Sequence, residues 1–224
     1  LKGLPTRLAV AGAGPIGSEF AQLFSRFGAQ VTLIDQGARI LSREEPETSA
    51  AIRTVFEAEG IEVRTRTKMK SVELSEGVKR IFFESGASID VDEILVAVGR
   101  SLDGKTLGLD TAGIEWSPRG IKVNEQLRTS KPWAWAAGDV VGGPLFTHVA
   151  SDMGQVAARN AMKRAAERID LRIVPRVTFT DPEVASVGLT GAAAKKSGRK
   201  VPTGFPRIVE AQEAHLDGLP PDPP

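Results

Sequence analysis

Three glycines, Gly12, Gly14 and Gly17, stand in the hexapeptide GAGPIG, between the apolar run RLAVA and the segment SEFAQLFSRFG. Types and spacing are those of a diphosphate cradle. Gly12 permits a tight turn out of a strand. Gly14 exposes bare backbone to an approaching pyrophosphate, and Gly17 lets a helix pack close to a sheet. The helix start through Ala13, Pro15 and Ile16 offers N–H groups and a partial positive charge to the phosphates. Asp35 lies 23 residues after Gly12, at the end of the next apolar run. A carboxylate there accepts hydrogen bonds from a ribose diol. It repels a 2′-phosphate, which favours NAD over NADP. Gln36 follows where an arginine would argue the other way, while Arg39 is near enough to keep NADP open. A glycine triplet alone suits a plain strand-to-helix corner equally well; the flanking elements and Asp35 favour the nucleotide.

The elements that position these residues are legible from periodicity. Residues 6 to 11 predict a buried strand. Ile16, Phe20, Leu23, Phe24 and Phe27 form one helical stripe, stopped at Gly28. QVTLI (30–34) is a second strand. Glu44, Glu45 and Glu47 around Pro46 suit a helix first turn, which Ile52, Val55 and Phe56 continue to Gly60. IEVR is a third strand, so the start reads β-α-β-α-β with a parallel sheet. KSVELSE, VKRIFFES and ASIDV alternate polar and apolar residues, as an antiparallel meander does. ILVAVG (94–99) is continuously apolar, as in a strand buried on both faces. Further on, WAWAAGDVVGG predicts a strand ending at Asp139, Met153, Ala157 and Ala161 a helix over 150–166, and RVTFTDPEVASVGLT a new β segment. The fold class is therefore α/β.

Composition excludes several functions. Net charge is +1 in 224 residues, which points to neither nucleic acid nor membrane as partner. No run approaches the roughly 20 apolar residues of a membrane helix, and LKGLPTRLAV is not a secretory leader. Cytoplasm is the expected location. Cysteine is absent, so thiol chemistry and thiolate metal sites are not expected. His148 and His215 do not make a metal site, and no catalytic residue is assigned.

Four ordered segments, LAVAGAGPIGSEFAQLFSRFGAQVTLID, ILVAVGR, GIKVNEQLRTSKPWAWAAGDVVGGPLFTHVA and VTFTDPEVASVGLT, resemble the pyridine nucleotide–disulfide oxidoreductases. FTHVA and FTDPEVASVGLT look most like the mercuric-reductase and dihydrolipoamide-dehydrogenase branches of that flavoenzyme family. The resemblance implies a Rossmann-like NAD(P)-binding domain with a β-meander insertion (1–100). Part of an FAD-binding domain (101–170) and a truncated start of an α+β dimerisation domain with an irregular tail (171–224) follow. It implies that residues Gly12 to Glu19 hold the NAD pyrophosphate, with Glu19 near the carboxamide, and that Gly99 passes the NAD ribose. Asp139 would bond a ribityl hydroxyl of FAD. Leu145, Phe146, Thr147, His148 and Ala150 would lie along the flavin, with N–H groups at Ala150 beside its pyrimidine edge. Without the resemblance, Glu19 reads as a first-turn acid, Asp139 as a strand-ending turn residue, and His148 as a helix-flanking residue without chemistry.

The sequence also departs from the family. It has neither the first FAD segment with its own glycine turn nor the C-x4-C pair of that segment. The family's R-x-P-N reads RSLDG, and the family pattern is expected to end near Arg199. FAD is then held weakly or not at all by the isolated chain, unless a partner chain supplies that segment. Val177, Phe179, Val184 and Val187 are expected as exposed apolar surface, open to a homodimer or to aggregation. Three readings remain: a flavin-dependent NAD(P)H oxidoreductase or a fragment of one, a stand-alone NAD(H)-binding module, and an inactive remnant.

Overall fold

The computed structural model describes residues 3–163 and 166–198, apart from the side chain of Lys163. The chain divides into two compact units, Leu1–Gly188 and Leu189–Pro224. In the first, β1 (Arg7–Ala11), α1 (Pro15–Arg26), β2 (Gln30–Ile34), α2 (Pro46–Ala58) and β3 (Glu62–Arg64) follow the expected alternation. The meander is β4 (Met69–Ser75), β5 (Val78–Phe83) and β6 (Ser88–Val91), and β7 (Glu93–Val96) returns beside β1. The parallel sheet runs β3-β2-β1-β7, with Leu8 opposite both Val31 and Glu93. The period of two along each strand divides the core. Leu8, Val10, Val31 and Leu33 pack with Ala21, Ile52, Phe56 and Ile61 under the helices. Ala9 and Ile34 pack on the other face with Ile81, Phe83 and Val91 of the meander. Phe56 is fully buried. Phe56→Ala is therefore expected to cost about 3–5 kcal/mol, read as the loss of unfolding free energy in a urea titration.

Residues 101–163 build a smaller, loop-rich assembly. It holds α3 (Leu109–Ala112), the two-residue strands β8 (Trp116–Ser117) and β9 (Gly120–Ile121), a 3-10 turn at Gly138–Val141, and α4 (Thr147–Lys163). The strand expected to end at Asp139 does not form. Among the described residues, 133–137 find one β-bridge, Trp135 with Arg128, and a single bridge does not make a ladder. Asp139 sits instead in the 3-10 turn. Helix α4 starts at Thr147, three residues before the expected start. An antiparallel hairpin, β10 (Pro175–Thr178) and β11 (Val184–Val187), ends the unit. Phe179 and Val187 are exposed as expected, but Val184 is buried in the core under α1 and α2. In the second unit, α5 (Gly191–Lys196) is capped by the Thr190 hydroxyl, which accepts from the Ala193 N–H.

Helix α1 corrects the expected stripe. Pro15 opens it and Gly28, at φ +97°, follows its end as predicted. Yet Ile16, Phe20, Leu23 and Phe27 are exposed, with Phe27 at 64%. The buried face is Gly17, Ser18, Ala21 and Gln22. Small residues let this helix lie close on the sheet, which leaves its large apolar residues outward. Among the described residues, no helix is long and apolar enough to cross a membrane.

Candidate functional site: the glycine turn and its carboxylate

The turn between β1 and α1 is held from below and from the side. The Gly12 N–H donates to the Ile34 carbonyl (2.7 Å), and the Ala13 N–H donates to Asp35 Oδ2 (2.7 Å). Asp35 Oδ1 accepts from the Gly37 N–H (2.6 Å). The Ala13 carbonyl accepts from the Leu41 N–H (2.8 Å) and from the Ser18 hydroxyl (3.4 Å). Both ends of the Ala13 residue are thus clamped by the segment after β2. Gly12 and Ala13 keep no N–H for a phosphate, which narrows the expected cradle. Pro15 has none to give. The N–H groups of Gly14, Ile16 and Gly17 precede the first helical bond, Ser18 N–H to Gly14 carbonyl (2.9 Å), and meet no acceptor among the described residues.

The glycines differ in why they are glycine. Gly12 adopts φ +99°, and a Cβ there would lie 2.5 Å from the Ala97 carbonyl oxygen. A Cβ on Gly17 would collide with the Gly12 carbonyl oxygen. At Gly14 nothing lies within 4 Å of that position. The protein itself does not require glycine at Gly14; a ligand approaching its backbone would.

Glu19 is the fifth residue of α1, past the first turn, so the first-turn role falls away. Its Oε1 accepts from the Phe179 N–H (2.9 Å), joining α1 to the hairpin. Gln22 accepts from the Asp181 N–H (2.7 Å) and donates to the Asp181 carbonyl (2.8 Å). Glu44 does not serve the first turn of α2 either. Its buried carboxylate accepts from Arg176 Nε (2.7 Å) and the Ser186 hydroxyl (2.8 Å). Burial pushes the Glu44 pKa up, and these two partners more than offset that, holding it below the ordinary carboxylate value. Arg39 Nη2 donates to the carbonyls of Ser42 (2.9 Å) and Glu44 (3.1 Å).

A second cluster gathers the other expected residues. Gly99 has φ +112° just beyond β7. Arg100 Nη1 bonds Asp139 Oδ2 (2.7 Å) in an exposed pair. A Cβ on Gly138 would stand 3.2 Å from the Ala150 Cβ, so the Asp139 turn lies on the first turn of α4. The Phe146 and His148 rings stack with centroids 5.4 Å apart. Leu145, Thr147 and His148 are exposed. The Ala150 N–H donates to the Phe146 carbonyl (2.9 Å), so it is spent within the helix. The amides ahead of the first helical bond of α4 are those of residues 147 to 149, a correction to the expected donor. His215 lies outside the described residues. Arg39 was read only for its bearing on NADP, not for the backbone it ties, and Leu41, Glu44 and Arg100 were missed as site-building residues. Arg39, Leu41 and Glu44 act through backbone or long-range contacts that no local pattern carries; for Arg100 its place in AVGR was a signal.

Residues 1–154 match the family model described as pyridine nucleotide-disulphide oxidoreductase. The chain belongs to that family. Residues 174–218 match the family's dimerisation domain, so the family pattern does not end near Arg199 as expected but continues to 218. Mercuric reductase of Staphylococcus aureus is 40% identical over 207 residues, covering 91% of this chain and 38% of the relative. Dihydrolipoyl dehydrogenase of Thermus scotoductus is 41% identical, covering 97% and 48%. The HOCl-induced flavoprotein disulfide reductase RclA of Escherichia coli superposes with a TM-score of 0.86 at 28% identity, over 98% of this chain and 51% of that one. The chain spans less than half the length of these curated relatives. The family is one of flavin-dependent oxidoreductases that use FAD and a pyridine nucleotide.

Proposed function

We propose that this chain supplies the pyridine-nucleotide site, and part of the flavin site, of a flavin-dependent NAD(P)H oxidoreductase. The observation that carries the reading is the trio of unpaired N–H groups at Gly14, Ile16 and Gly17 beside the Asp35 carboxylate. The amides would receive the diphosphate and Asp35 the adenosine ribose. Asp35 already holds two backbone N–H groups, but each carboxylate oxygen has a second lone pair for a ribose hydroxyl. NAD is the favoured nucleotide. Asp35 repels a 2′-phosphate, and one terminal nitrogen of Arg39 is engaged by two backbone carbonyls. Gly99 would pass the ribose and Glu19 would sit toward the carboxamide.

The residues of the second cluster fit the ribityl and ring portions of FAD. Asp139 Oδ2 is fixed by Arg100, and Oδ1 meets no donor among the described residues. The early amides of α4 favour negative charge at its start, where Leu145, Phe146, Thr147, His148 and Ala150 cluster. When bound, the nicotinamide supplies a hydride and the flavin accepts it. The chain's own residues would orient the two groups. Residues 1–100 would then form the nucleotide domain, 101–170 the flavin portion and 171–224 dimerisation sequence, with a homodimer as the assembly.

The test is a melting-temperature series with NADH, NADPH and FAD. NADH at about 100 times its Kd should stabilise the chain by ~2.7 kcal/mol, with a smaller shift from NADPH. A colourless protein shifted by NADH alone supports a nucleotide module without bound flavin. No shift with either nucleotide overturns the proposal.

A further inference from the structure

We propose that Glu44 is the joint through which the β10–β11 hairpin sets the affinity of the glycine turn for its dinucleotide, an inference resting on the nucleotide assignment above. Arg176 and Ser186 are direct cross-strand partners in the hairpin, so both donors leave one face of it. They converge on a single carboxylate. Arg176 Nε meets Oε1 at 2.7 Å, while Arg176 Nη2 (3.3 Å) and the Ser186 hydroxyl (2.8 Å) meet Oε2. The Glu44 side chain is 9% exposed and that of Arg176 22%. A carboxylate so buried stays in place only while its donors do.

From Glu44 the connection to the turn is short. The Glu44 N–H donates to the Leu41 carbonyl (2.9 Å), and Arg39 ties the Glu44 carbonyl to that of Ser42. The Leu41 N–H donates to the Ala13 carbonyl inside GAGPIG. Leu41 is a buried non-glycine residue at φ +44°. Such a conformation persists where the surroundings over-determine it. Here these are the packing of its side chain, the Ala13 carbonyl and the Glu44 anchor. Loss of the hairpin donors drives Glu44 toward water. Leu41 then relaxes and the Ala13 carbonyl loses its donor. The N–H groups beside Ala13 lose their aim at the phosphate, and a site held loosely binds weakly. Val184, buried in the sheet-and-helix core, keeps the hairpin seated while this happens.

The experiment uses the full chain with NADH as probe. Arg176→Met and Glu44→Gln should each raise the NADH Kd about tenfold, and the double variant no further, since both cut the same connection. Ser186→Ala, which leaves the ion pair intact, should raise it about two- to threefold. The amide hydrogen of Leu41 should exchange faster in all of these, while that of Leu33 in β2 stays protected. Arg80→Met, which breaks a meander ion pair, should alter neither readout. An unchanged Kd in folded Ser186→Ala and Arg176→Met overturns the joint. Unchanged Leu41 exchange overturns it as well, independently of any nucleotide. A wild-type chain that fails to bind NADH refutes the assignment beneath it, and the exchange data then judge the joint alone.

Discussion

Gly17→Ala is expected to weaken NADH binding at least 100-fold, close to 3 kcal/mol, and to lower the melting temperature. The new methyl would collide with the Gly12 carbonyl oxygen. Gly12 has no room to yield, because it already holds φ +99° against the Ala97 carbonyl. Helix α1 must therefore move off the turn, at the roughly 1–3 kcal/mol typical of an overpacked core. Gly14→Ala is the informative companion. Its methyl meets no protein atom within 4 Å, so stability should hold while NADH binding falls. Calorimetric titration and thermal melts of both variants check this. A Gly14→Ala protein that binds NADH like the wild type would remove the phosphate from this turn.

Asp35→Ala should weaken NADH by about 30- to 100-fold and bring NADH and NADPH to similar affinities. Two effects add. The ribose hydroxyls lose a charged acceptor, and hydrogen bonds to charged groups are worth about 1.5–3 kcal/mol each. The N–H groups of Ala13 and Gly37 also lose the carboxylate that organises them. Removing the negative charge lifts the repulsion toward a 2′-phosphate, so NADPH should lose less than NADH. The ratio of the two dissociation constants, from quenching of cofactor fluorescence, is the readout. Equal affinities for the variant and the wild type would contradict the assignment.

Periodicity carried most of the nucleotide half. The meander announced itself through alternation in VKRIFFES, and the parallel strands through short apolar runs, although ILVAVG, expected to be buried on both faces, is half-buried in β7 and leaves Val96 and Val98 exposed. Helix α1 shows where hydrophobicity misleads. Ile16, Phe20, Leu23 and Phe27 make a stripe, but close approach to the sheet requires Gly17, Ser18 and Ala21 on the buried side. The run before Asp139 is apolar enough for a strand and lacks the neighbours that would make it one. Glu44 and Arg176 are 132 residues apart, so nothing local in either revealed the pair. Gly12, Gly14, Gly17 and Asp35 were legible because backbone shape and charge are spelled by residue type at fixed spacing. Which amides stay free after folding was not, since Asp35 and Leu41 claim the Ala13 residue through space.

The most direct test follows individual backbone amides in a two-dimensional nitrogen–proton spectrum as NADH is added. The amides of Gly14, Ile16 and Gly17 should move furthest, while that of Ala13, already bonded to Asp35, shifts little. Saturating NADH that leaves those three resonances in place, or moves a different set, would contradict the account.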